Sequence, residues 1–291
     1  MVAVSLSLLA AVAYGVSDFL SGVASRAVHY ARVALLVQLV MTLSTWAVVA
    51  IFGGTASQGA VVWGLVAGLG TSAGTVLLYR GLGAGQMNVV APLSAATAAL
   101  VPVIVGLVLG ERPSWLVLVG VLLIIPAIWL ISATPPQPGS TARFAEGAVD
   151  GLLAGVGFAL SFIALDRAPD DAGLWPAAWA QLSALAVIAV AAPLIVRASR
   201  RASVSEQAVA GRLSRRSVLP AATAGVLGAV AVASFLFASR SGLLVVASVL
   251  TSLYPAITVL LAAGFLGERT VRVQVVGLAL ASTGVVLVAV G

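Results

Sequence analysis

The chain of 291 residues contains no cysteine, one histidine and only 8% charged residues, and all 15 of its basic residues are arginine. Without cysteine there is no disulfide, thiolate metal site or redox thiol. A single histidine cannot supply a histidine-based metal centre. Soluble domains carry about 25% charged residues, so the low charge excludes an ordinary soluble protein. The sequence has no phosphate-binding loop, zinc-protease motif or nucleophile elbow, so we expect neither an enzyme nor a cofactor.

Apolar residues are abundant instead: 61% of the chain is hydrophobic and its mean hydropathy is +1.16. A membrane-spanning helix needs about 20 mainly apolar residues. The first such run lacks the basic start and the cleavage site of a secretory signal, so we interpret it as a retained membrane helix. We expect an all-α, multi-pass protein of the cell membrane with ten transmembrane helices. These lie near 3–24, 33–52, 60–79, 87–109, 114–132, 147–165, 174–196, 218–238, 243–266 and 271–290.

The two halves of the chain repeat one another. A shift of 157 positions lays Gly110 to Arg112 on Gly267 to Arg269, and Gly120 on Gly277. Five helices in each half is an odd number, so the second half enters the membrane in the opposite orientation. This inverted-topology repeat is typical of secondary transporters. The sequence predicts a first five-helix repeat over 1–133, a Pro/Gly/Ser-rich linker over 134–146 and a second five-helix repeat over 147–291.

The arginines predict an orientation. Six of them lie between Arg197 and Arg216, in a loop that suits the negative cytoplasmic leaflet better than nucleic acid. We therefore expect no nucleic-acid partner. With ten spans, 12 arginines fall on one side of the membrane and 3 on the side that holds both termini. The positive-inside rule then predicts that both termini lie outside.

Two stretches carry a family resemblance. The sequence "SLYPAITVLLAAGFLGER", Ser252 to Arg269, and its first-half copy "PLSAATAALVPVIVGLVLGER", Pro92 to Arg112, resemble the drug/metabolite transporter superfamily and its EamA-type ten-helix exporters. The resemblance implies a central cavity between the halves, alternating access, and export or exchange of small metabolites such as amino acids. It also implies that the termini lie inside, against the arginine count. The first half departs from the pattern, because Ala98 stands where the second half has Pro255.

Polar side chains inside the apolar segments are the candidates for substrate binding. Pro255 has no N–H, so it should kink its helix and free a backbone carbonyl one turn earlier, which Thr251 can help to satisfy. Hydroxyls near such a kink either join neighbouring helices or bind substrate. The candidate substrate-binding residues are Tyr14, Ser17, Asp18, Arg80, Asn88, Ser94, Thr97, Ser161, Trp179, Ser248, Thr251 and Tyr254.

Asp18 is the most conspicuous of these residues. It lies about 22 Å along the first helix at about 1.5 Å per residue, so its carboxylate should face the interior of the bundle. Either it caps the helix end or pairs with Arg26 or Arg80, or it provides a site for a proton or an amine. Protons are the simplest coupling ion for a transporter that works against a gradient.

Other polar residues have simpler interpretations. Gln38 and Gln181 are expected to join helices, and Glu111 and Glu268 to pair or to cap helix ends. Arg80 either anchors its helix at the interface or binds a substrate carboxylate. Trp179 either lines a vestibule or belongs to the interfacial aromatic belt.

The favoured function is secondary active transport of small polar metabolites, by an exporter or exchanger that alternates access around a central cavity. The alternative is a flippase for a lipid-linked headgroup, which would need a basic pocket. The expected partners are a small-molecule substrate, membrane lipids and protons as the coupling ion. The protein is expected to be a monomer or a homodimer.

Overall fold

The computed structural model describes residues 1–25, 28–83, 87–132, 144–201, 215–266 and 271–291, and these ranges contain helices and connecting turns. Each apolar segment of the sequence corresponds to one helix, except 243–266, which corresponds to two. The helices are α1 (Val2–Ser25), α2 (Tyr30–Phe52), α3 (Gln58–Gly83), α4 (Met87–Val108), α5 (Trp115–Ser132), α6 (Phe144–Asp166), α7 (Trp175–Arg201), α8 (Arg215–Arg240), α9 (Leu244–Thr251), α10 (Tyr254–Leu266) and α11 (Arg272–Val290).

Among the described residues, eight helical stretches are long and apolar enough to cross a membrane. Two shorter apolar helical stretches, Leu93–Val108 and Trp115–Ile131, lie between the third and the fourth of them. These long apolar helices confirm the expectation of an all-α, multi-pass membrane protein.

The segment predicted over 243–266 is interrupted. α9 ends at Thr251, Ser252 and Leu253 form a turn, and α10 begins at Tyr254. Pro255 therefore produces a full break, which is more than the predicted kink, because it cannot donate a hydrogen bond to the carbonyl of Thr251. The two parts differ in burial: all eight residues of α9 are buried, whereas Ala256 is the buried residue of α10.

The helices of the two halves are interleaved. α1 packs along α8, and α3 packs along α6, so the first helix of each half contacts the third helix of the other half. α5 packs on α11, and α2 packs on α7 and α8. Glycines allow the closest approaches: a Cβ atom on Gly157 of α6 would lie 2.7 Å from the backbone nitrogen of Gly74 on α3. Small residues of this kind permit helices to pack without a hydrophobic driving force between them.

One end of the bundle holds both chain termini, and we call it the termini face. A Cβ atom on Gly291 would lie 2.8 Å from Ser114 Oγ, and one on Gly242 would lie 2.7 Å from Ala3 Cβ. The loop after α6 closes this face further, because Arg240 donates hydrogen bonds of 2.8 Å to the carbonyls of Pro169 and Gly173. We call the other end the opposite face.

Candidate functional site

The outward and inward sides of α1 can be told apart by exposure. Val2, Leu9 and Val12 are exposed apolar residues that follow one another at helical spacing. At about 100° per residue, Asp18 lies roughly 160° around the helix from this stripe. Asp18 is nevertheless exposed. Exposure on this inward side indicates a cleft between α1 and its neighbours, which the Asp18 side chain faces.

Two tyrosines accompany Asp18 in this cleft. Tyr14 lies one turn before it on α1, and Tyr254 opens α10; their ring centroids are 6.3 Å apart in an edge-to-face arrangement. The Asp18 carboxylate interacts electrostatically with both phenol groups. The structure thus brings together three residues that the sequence predicted as substrate contacts: an anion and two hydroxyls that can accept or donate hydrogen bonds.

α1 and α10 approach each other closely beside this cluster. A Cβ atom on Gly15 would lie 2.5 Å from Ile257 Cβ and 2.6 Å from the carbonyl oxygen of Tyr254. Thr258 Oγ1 donates a hydrogen bond of 3.1 Å to the carbonyl of Gly15. Sequence reasoning missed Thr258, although it lies one turn after Tyr254 and so shares its side of the helix.

Packing around the Asp18 cluster is tight on the side of α9 and looser toward the opposite face. α9, at the termini face, is buried on all sides, whereas α10 has exposed residues such as Leu260 and Phe265. Gly22 lies one turn beyond Asp18, and a Cβ atom there would meet nothing within 4 Å. The Asp18 cluster therefore lies where the tightly packed and the open parts of the bundle meet.

The break between α9 and α10 carries a second group of hydroxyls. Ser248, Thr251 and Ser252 are fully buried. Ser248 Oγ donates a hydrogen bond of 2.7 Å to the carbonyl of Leu244, whereas the hydroxyls of Thr251 and Ser252 have no hydrogen-bond partner among the described residues. The expectation that the Thr251 hydroxyl satisfies the carbonyl freed by Pro255 is therefore wrong.

Ser94, Thr97 and Ser161 lie at contacts between helices. A Cβ atom on Gly155 of α6 would lie 2.5 Å from Thr97 Cβ and 2.6 Å from the carbonyl oxygen of Ser94. Ser161 accepts a hydrogen bond of 2.8 Å from Thr71, which links α6 to α3.

The remaining candidates are not brought to Asp18 by any described contact. Ser17 donates a hydrogen bond of 2.9 Å to the carbonyl of Ala224 and so joins α1 to α8. Trp179 packs edge-to-face against Trp46, with ring centroids 5.5 Å apart, and its buried Nε1 has no partner in the described part of the chain. Arg80 and Asn88 lie on α3 and α4, but their side chains are outside the described residues, and so is Arg26.

Two simpler predictions are confirmed. Gln38 Nε2 donates a hydrogen bond of 2.7 Å to Gln181 Oε1, so this amide pair joins α2 to α7. Glu111 caps a helix end, and that helix is α9 in the other half of the chain. Glu268 lies outside the described residues.

Comparison with known proteins agrees with the expected resemblance. Residues 146–290 match the model of the EamA-like transporter family. A solved crystal structure of another protein superimposes on this one with a TM-score of 0.71, over 99% of this chain and 98% of that one. The two sequences are 15% identical, so this likeness concerns the fold alone. None of the curated proteins matches the chain.

Proposed function

We propose that this membrane protein, whose residues 146–290 match the model of the EamA-like transporter family, is a secondary transporter of small polar metabolites such as amino acids. It works as an exporter or exchanger in the cell membrane. The observation that carries the proposal is the exposed Asp18 on the inward side of α1, which lies with Tyr14 and Tyr254.

The proposed architecture is ten spans in two inverted repeats, over 1–133 and 147–291, joined by the linker 134–146. Helix limits support it, since the shift of 157 positions that aligns the sequences also lays α3, Gln58–Gly83, on α8, Arg215–Arg240. The same shift lays the first residue of α4, Met87, on the first residue of α9, Leu244. The reciprocal packing of α1 on α8 and of α6 on α3 agrees with a two-fold relation between the halves.

The cluster favours a substrate that carries an ammonium group. A carboxylate inside a membrane protein is costly unless a cation or hydrogen-bond donors compensate it. A substrate ammonium would meet Asp18, while Tyr14 and Tyr254 hydrogen-bond its polar groups. Aromatic faces add cation–π attraction to the same charge. In a proton-coupled cycle, a proton takes the place of the ammonium on Asp18 in the return step.

The alternative, a flippase for a lipid-linked headgroup, is less well supported. An anionic headgroup needs a basic pocket, and the described side chains at the cleft are an acid and hydroxyls. Lipid scrambling in vesicles that hold the purified protein would favour this alternative over transport.

Uptake into proteoliposomes tests the proposal. The wild type should exchange radiolabelled amino acids and simple amines across the membrane, and it should not transport carboxylates that lack an amine. Asp18→Asn should abolish the exchange. Asp171→Asn is the matched control, because it removes an acid from an exposed loop. Equal uptake by wild type and Asp18→Asn would contradict the proposed site.

A further inference from the structure

Glu111 joins the two halves at the termini face. Its Oε1 accepts a hydrogen bond of 2.7 Å from the backbone N–H of Leu244, and its Oε2 accepts one of 3.0 Å from Val245. These N–H groups open α9, whose own N-cap residue, Leu243, has no side-chain cap. The first N–H groups of a helix have no partner within it and carry partial positive charge, so a carboxylate is their strongest cap.

The turn after α4 holds Glu111 in place. Gly110 has a positive φ of 99°, and the N–H of Glu111 donates a hydrogen bond of 2.9 Å to the carbonyl of Gly106. This glycine turn ends α4 and directs the next side chain back over Gly106, where a Cβ atom would lie 2.7 Å from Glu111 Oε2. Arg112 donates hydrogen bonds to the carbonyls of Leu107 and Glu111 and remains exposed.

The capped helix is the part of the molecule that closes the termini face. α9 is buried along its whole length against α1, α4 and α5. The break at Ser252 and Leu253 separates it from α10, which is more exposed. A break allows the two parts of the segment to move independently, and in the proposed transport cycle α9 leaves its position when the termini face opens.

We infer that Glu111 is a latch: its hydrogen bonds to α9 hold the termini face closed, and the opening of that face requires their release. The inference rests on the proposed transport function. Glu111 is a positioning residue, because it acts through α9 and lies at the termini face, away from the Asp18 cluster. Each residue of the Gly-Glu-Arg sequence then has its own role. The glycine forms the turn, the glutamate forms the latch, and the arginine bonds the Leu107 carbonyl at the end of α4.

Cysteine labelling tests the latch without any substrate. Because the chain has no native cysteine, Ser248→Cys alone reports access to buried α9, and Gly22→Cys alone reports access to the cleft. In purified protein, Glu111→Gln should raise the rate at which a water-soluble maleimide labels Ser248→Cys by about tenfold, the scale of one lost charge-assisted hydrogen bond. Labelling of Gly22→Cys should fall or stay unchanged, because the opposite face closes as the termini face opens.

Two controls separate a latch from a structural cap. Arg112→Gln leaves the carboxylate in place and should not change either labelling rate. Glu268→Gln makes the same chemical change at the repeat-equivalent position and should not raise labelling of Ser248→Cys. Faster labelling at both reporters in Glu111→Gln would indicate general loosening and would overturn the inference, and so would unchanged labelling.

A second variant covers a failure of Glu111→Gln to fold. Glu111→Asp keeps the charge but shortens the side chain, so it cannot reach both N–H groups and should give a smaller rise at Ser248→Cys. No rise at that reporter in a folded Glu111→Asp would contradict the latch. The labelling needs no transported molecule, so failure of the amine-transport assay leaves this result intact. If Glu111→Gln leaves the labelling unchanged and the wild type takes up amines, the latch is rejected and the proposed transport function stands.

Discussion

The exposure of Asp18 indicates where its side chain lies relative to the neighbouring helices. It is an acid on the inward side of α1, and it is exposed although the apolar stripe of the same helix faces away from it. An ionisable group within a membrane span is a functional candidate, because placing a charge there costs free energy.

Asp18→Asn should abolish uptake driven by a pH gradient and leave folding and insertion intact. Asparagine keeps the shape of the side chain but can neither release a proton nor hold an ammonium ion by charge. Uptake would be measured in proteoliposomes with and without an imposed pH gradient, next to a thermal unfolding curve. Unchanged pH-driven uptake would show that Asp18 has a structural role only.

Gly15→Ala should separate α1 from α10 and reduce both stability and transport. The added Cβ would lie 2.5 Å from Ile257 Cβ and 2.6 Å from a backbone oxygen of α10, so the helices must shift. Overpacking of this kind costs about 1–3 kcal/mol of unfolding free energy. Gly22→Ala is the matched control on the same helix, because its Cβ would meet nothing within 4 Å. Thermal unfolding of both variants in one detergent checks the difference.

At the scale of elements, the α9–α10 segment has two parts with different surroundings. α9 is buried and α10 is partly exposed. Two buried hydroxyls where α9 ends, those of Thr251 and Ser252, have no described partner. Unpartnered hydroxyls that are fully buried are uncommon and costly. Their position at the break is consistent with an element that repacks during transport.

Pro255→Ala should slow transport without loss of stability. Alanine restores an N–H that can bond the carbonyl of Thr251, so the two helices would join into a stiffer segment. Exchange rates in proteoliposomes should fall several-fold, while the unfolding temperature stays equal or rises. Pro193→Ala is a suitable control, because Pro193 lies within α7 and is exposed. Faster exchange in Pro255→Ala would contradict a role for the break.

The whole molecule is held together across its two halves. The first helix of each half packs on the third helix of the other, and Gln38 bonds Gln181 between them. The two halves therefore do not form separate lobes, and the Asp18 cluster lies between helices from both halves.

Orientation is a prediction at this scale. With ten spans, 3 arginines fall on the side that holds both termini and 12 on the other side, so the positive-inside rule predicts that the opposite face is toward the cytoplasm and both termini are outside. A C-terminal fusion to a fluorescent protein that matures only in the cytoplasm should be dark, and a fusion to a phosphatase that is active only outside should be active. The reverse result would support the orientation implied by the family resemblance.

The sequence by itself determined the class of the protein and the approximate positions of its helices, and it singled out Asp18 and Pro255 as candidates. These features depend on local composition: an apolar run of sufficient length becomes a helix in a membrane, and a proline interrupts it. The matched Gly-Glu-Arg motifs likewise predict the repeat, because they recur after a shift of 157 positions.

Only the tertiary structure decided what each polar side chain contacts. Ser17 is one residue from Asp18, yet it bonds α8, and Glu111 bonds a helix that begins 133 positions later. Thr258 lies beside the Asp18 cluster, which the sequence did not suggest. The Thr251 hydroxyl does not satisfy the carbonyl that Pro255 leaves without a donor. The physical reason is that nearly every face of these helices is apolar, so the sequence says little about how each helix is rotated. That rotation is set by close packing at small residues such as Gly15, and packing is a property of two helices together.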